Sequence, residues 1–118
     1  MNIPEFLTKL PLDWRVVEAR ISYIGVDEPP FEISYDDLLE DLIIVHSDHL
    51  QLSLEIDWLP ERSPLGQFIL SAIDFSSIER LADSYAQPRR TFKTRSLRSA
   101  IEQLRTWMVE FAAQGNAA

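Results

Sequence analysis

Chemistry in this chain would have to start from few residues. The only histidine cluster is His46-Ser47-Asp48-His49. Two imidazoles and a carboxylate are zinc-ligand and acid–base types. On an extended chain, however, His46 and His49 point to opposite faces, so a metal would need a turn and a distant ligand. The same four residues also read as a polar turn before the strand that starts at Leu50. Glu55 and Asp57 alternate onto one strand face, and paired carboxylates can run glycoside hydrolysis; acids on a solvated strand face look the same. Arg89, Arg90, Lys93, Arg95 and Arg98 form a basic run that could meet phosphate, pair with acids elsewhere, or stay solvated. The 118 residues include no cysteine and only three glycines. No serine sits in a Gly-x-Ser-x-Gly turn, and no phosphate-cradling glycine loop exists. These patterns predict no catalytic residue, no metal and no cofactor.

Charge is more informative. The net charge is −8, from 19 acidic and 11 basic residues. Residues 1–59 hold thirteen acids against three bases, and residues 60–118 hold six against eight. Between residues 21 and 61 there is no Lys or Arg, while Asp27, Glu28, Glu32, Asp36, Asp37, Glu40, Asp41, Asp48, Glu55, Asp57 and Glu61 all lie there. Such a surface repels nucleic acid and anionic membrane and steers basic proteins inward. Trp58 closes a strand at a Pro-flanked loop beside Asp57 and Glu61. It reads either as an exposed interface anchor or as the residue that pins the loop to the core.

The elements that must position these residues follow from periodicity. Residues 2–10 suit a short helix ended by Pro11. Residues 14–24 alternate as a strand, with Val17, Ala19, Ile21 and Tyr23 on one side. A loop with Pro29–Pro30 leads to a brief strand at 31–35 and a short acidic helix at 35–42. Residues 42–46 are rich in β-branched types and read as a strand or as the end of that helix. Leu50, Leu52, Leu54 and Ile56 alternate with polar residues, giving a strand with one buried and one wet face. A turn-rich stretch at 59–66 joins it to a strand at 67–75, as an antiparallel pair. Residues 76–87 read as a helix or an irregular segment, and 90–93 as a short strand. Ser96 caps a helix at 97–113, whose stripe is Leu97, Ile101, Leu104, Met108 and Phe111. Gly115 is placed just past its end.

The expected fold is α+β: a single domain with a twisted antiparallel sheet of about four strands and a C-terminal amphipathic helix on one face. No signal peptide and no run of roughly 18 apolar residues is visible, so a cytoplasmic protein is expected.

The strand at 50–58, the motif Trp58-Leu59-Pro60-Glu61, the motif Pro64-Leu65-Gly66, the strand at 68–73 and Thr94-Arg95-Ser96 opening the last helix resemble a pattern in small immunity proteins of contact-dependent inhibition and other polymorphic toxin systems. The resemblance covers about half of the chain. It implies a non-enzymatic protein that binds a cognate toxin domain and occludes it. The partner-binding residues expected on that reading are Asp36, Asp37, Glu40, Asp41, Glu55, Asp57, Trp58 and Glu61. An adaptor, chaperone or assembly subunit for a basic or hydrophobic protein is the competing expectation, and a small metal protein using His46 and His49 is a third. A second copy of the chain is also an admissible partner, through a sheet face or edge.

Overall fold

A computed structural model of the chain describes residues 10, 13–19, 42–75 and 88–116. Five strands and one helix lie among them: β1 (Arg15–Ala19), β2 (Ile43–Ser47), β3 (Leu52–Leu59), β4 (Gln67–Asp74), β5 (Arg90–Thr94) and α1 (Leu97–Asn116). The strands form one sheet in the order β1-β2-β3-β4-β5, each antiparallel to its neighbour. The α+β architecture expected from the sequence is therefore present, with five strands instead of about four. The ambiguous β-branched stretch is a strand, β2, and not the end of a helix. The segments expected at 2–9, 20–41 and 76–87 lie outside the described residues.

The registers put Leu52, Leu54, Ile56 and Trp58 on one face of β3, level with Asp74, Ala72, Leu70 and Phe68 of β4. Ile43, Val45 and Ser47 of β2 continue that face, as do Arg90, Phe92 and Thr94 of β5. Ala100, Leu104, Trp107, Met108 and Phe111 of α1 join it in one core cluster. The helix rests on β4 and β5. Its start is set by Ser96, whose Oγ accepts the Ser99 N–H at 3.1 Å, satisfying one of the helix's free first-turn donors. The helix runs on through Gly115 instead of stopping before it. Among the described residues, no helix is long and apolar enough to cross a membrane.

Two local expectations are corrected. Val17 was placed inward with Ala19, yet it is exposed, while Val16 packs against the core. The register shifts between Val16 and Glu18, and a bulge of this kind inserts an extra residue that reverses which way the chain alternates. The wet face expected for β3 is also wrong at its centre, where Ser53 and Glu55 are buried. The central strand is flanked on both sides. Ser53 lies between His46 and Ile73, and Glu55 between Ile44 and Ser71.

Candidate functional site

The histidine cluster folds as part of the β2–β3 turn and is divided among separate tasks. Ser47 is buried, and its Oγ accepts the Leu50 N–H at 3.1 Å. Asp48 receives two hydrogen bonds from Arg15 on the neighbouring strand, at 2.9 and 3.1 Å. That contact raises the Arg15 pKa above its ordinary value and holds the Asp48 carboxyl below the usual range. His46 is half-buried on β2, with its ring 5.2 Å from that of Phe75. Burial lowers its pKa, the Arg15 charge lowers it further, and Asp48 opposes both. His49 is exposed in the turn. Among the described residues, no group of three or more His, Cys, Asp or Glu side chains could hold a metal ion.

Four of the expected partner-binding residues fall among the described ones, and of these Glu61 alone is exposed. Asp36, Asp37, Glu40 and Asp41 lie outside the described residues. Glu55 is only 9% exposed, and its Oε2 accepts a hydrogen bond from Ser53 Oγ at 3.1 Å. Asp57 is half-buried on the same side of β3, and Glu61 is exposed in the following turn. Trp58 is 0% exposed, which corrects its reading as a surface anchor. Its position on β3 points it into the core face, where the Phe68 ring meets it edge-on at 4.9 Å. Hydrophobic area this large is stabilised by burial, and the one polar atom finds a partner: Nε1–H donates to the Ser63 carbonyl at 2.9 Å.

That hydrogen bond is part of a corner the sequence only hints at. Within residues 60–66, Ser63 N–H donates to the Pro60 carbonyl at 3.3 Å, and Gly66 N–H to the Ser63 carbonyl at 3.0 Å. Leu65 N–H donates to Ser63 Oγ at 3.1 Å. Gly66 lies flat against the Trp58 indole, where a Cβ would come within 2.5 Å of Nε1. From just past the end of the sheet's last strand, Arg95 donates to the Gly66 carbonyl at 3.1 Å and to the Pro64 carbonyl. The Trp58, Pro64–Gly66 and Thr94–Ser96 motifs thus converge on one place. In the sequence Arg95 stands in a basic run and in the Thr94-Arg95-Ser96 motif, and neither gives it a partner. No short-range pattern could have tied it to carbonyls 29 and 31 residues away.

Two more members of the basic run, Arg89 and Arg90, are also used within the fold. The Arg90 guanidinium lies over the rings of Phe111, at 4.5 Å, and Trp107, at 5.8 Å, and pairs with Glu110. Arg89 lies 5.2 Å from the Phe111 centroid. These contacts tie β5 to α1 through cation–π attraction. Lys93 stays exposed. No family model, curated protein or solved structure matches the chain.

Proposed function

We propose that the chain is an immunity protein, which binds the basic face of a cognate toxin domain and blocks it stoichiometrically. The distribution of charge carries this reading. The described residues hold nine acidic and eight basic side chains, a net of −1 out of the chain's −8. The surplus therefore belongs to the remainder. Residues 21–41 alone contribute seven acids and no Lys or Arg. In the described part of the acidic window, Asp48 is paired with Arg15 and Glu55 is buried. The sheet and helix then serve as a near-neutral scaffold, and the acidic stretch 21–41 supplies the contact. A concentrated field of one sign speeds encounter with an oppositely charged protein and disfavours wrong partners. A nuclease toxin has such a basic face, because it must hold a polyanion.

The test is growth rescue. The C-terminal domain of any large protein encoded beside the gene is expressed with and without the chain. Toxicity relieved by this chain, and not by an unrelated acidic protein, is the expected result. Toxicity without rescue sinks the proposal and favours an adaptor or assembly subunit.

A further inference from the structure

Among the described residues the sheet has two outer strands, β1 and β5, and they are not alike. β1 is interrupted by the bulge between Val16 and Glu18, and its Arg15 is tied to Asp48. A bulge twists an edge away and discourages further pairing. β5 pairs with β4 in unbroken register from Arg90 to Thr94, and none of its five residues is buried. A regular edge strand leaves the outward N–H and C=O groups of alternate residues without a ladder partner. We infer that this edge of β5 docks an extended acidic segment of a partner protein, which joins the sheet as a further strand. The contact is separate from the acidic stretch and does not require the immunity reading.

Charge selects the occupant. Residues 84–101 include no acid. Arg89, Lys93 and Arg95 are exposed there, and among the described residues none of the three meets a carboxylate. Arg89 stands on the α1 side of the edge, over Phe111. Lys93, level with Ile69, stands on the opposite side, and Arg95 lies just past the strand's end. Cations therefore flank the seam on both faces. Opposite charges across a strand pair stabilise it, and like charges directly opposite destabilise it. The same rule rejects a second copy. Two-fold antiparallel pairing about Phe92 would set Arg89 of one copy level with Arg95 of the other and crowd cations along the seam. Edge lysines keep many sheets from joining. Here Lys93 does so toward a like edge and does the reverse toward an acidic one. Nucleic acid fits less well. Arg95 directs its donors to the Pro64 and Gly66 carbonyls, Arg90 pairs with Glu110, and Phe92 packs half-buried on the core instead of offering its face to a base.

The experiment titrates the isotope-labelled full chain with a capped peptide of about eight residues that alternates Glu and Thr, a length that spans β5. Amide shifts and hydrogen exchange are followed. Saturable binding is expected, with shifts centred on β5 and slowed exchange at its outward amides. The same peptide with alternate amides methylated cannot join a ladder and should bind at least about tenfold more weakly, as should its Lys-Thr counterpart. Lys93→Glu should melt with the native chain, because the side chain is exposed, and bind the acidic peptide about 2- to 30-fold more weakly. Lys93→Gln should lose a smaller factor. Absence of saturable binding overturns the inference, as do shifts centred away from β5 or equal binding of the methylated peptide, which would mean charge without strand pairing. Tighter binding of a single-stranded oligothymidylate than of the acidic peptide also overturns it and assigns the cations to phosphate.

Discussion

Replacing Gly66 by alanine places a methyl group where the Trp58 indole already sits. The new carbon would lie 2.5 Å from Nε1, 2.7 Å from Cε2 and 3.1 Å from the Leu59 carbonyl oxygen. Comfortable carbon contacts are about 3.5–4.0 Å, so the indole must retreat by roughly 1 Å. It has nowhere to go, because the ring is fully buried with Phe68 against it. Overpacking of this kind costs about 1–3 kcal/mol. Retreat also breaks the hydrogen bond from Nε1 to Ser63, and a buried donor left unpaired costs about 1–3 kcal/mol more. The sum, about 2–6 kcal/mol, is a large part of the roughly 5–15 kcal/mol that holds a domain together. It corresponds to a fall in Tm of roughly 8–24 °C. Calorimetry and urea unfolding read the loss directly. The same change is then made in a Trp58→Phe background, which lacks the indole's five-membered ring and with it Nε1 and the fusion carbon. There the cost of Gly66→Ala should drop below about 1 kcal/mol, a coupling that a double-mutant cycle isolates. A Gly66→Ala chain melting within about 2 °C of the native one refutes the reasoning, as does an equal penalty in both backgrounds.

Two further perturbations test other contacts. Because burial lowers the His46 pKa, the folded state favours the neutral ring. Stability from this source is complete above the unfolded value of 6.5 and declines as pH falls through it toward the lower folded value. His46→Gln should therefore flatten the loss of Tm between about pH 7.5 and 5, and parallel curves for the two proteins would contradict the burial argument. Arg90→Ala removes the guanidinium from over Phe111 and Trp107 and unpairs Glu110, which should cost about 1–2 kcal/mol. Arg90→Lys should recover less than half of that, since an ammonium keeps the charge but not the planar stacking; full recovery would mean that the planar stacking contributes nothing.

Legibility in the sequence followed the range of the interactions. The alternation Leu50, Leu52, Leu54, Ile56 is a local signal, and β3 follows it from Leu52 on, with Leu50 in the preceding turn. The stripe of α1 and its Ser96 cap are local too, and both are present. β1 was found but its inward side was mistaken at Val17, because a bulge depends on the partner strand and not on the residues themselves. Alternation puts Glu55 on a wet face, because it gives a strand's sides and not how deeply the strand sits in its sheet, and β3 is the middle one of five. Trp58 left two readings open, because its sequence neighbours are acids and prolines; its neighbours in space, Phe68, Gly66 and Ser63, decide for the residue that pins the loop to the core. The charge split was plain in the sequence. What the structure adds is that the sheet and helix are close to neutral, so the acidity is concentrated more sharply than the halves of the chain suggest.

Association of the chain with the purified toxin domain, followed at about 50 and 300 mM salt, tests the central claim most directly. A one-to-one complex is predicted, with an association rate that falls steeply as salt rises. The rate should fall comparably when Asp36, Asp37, Glu40 and Asp41 are changed to their amides. No complex, or one whose association ignores both salt and these four substitutions, would contradict the account.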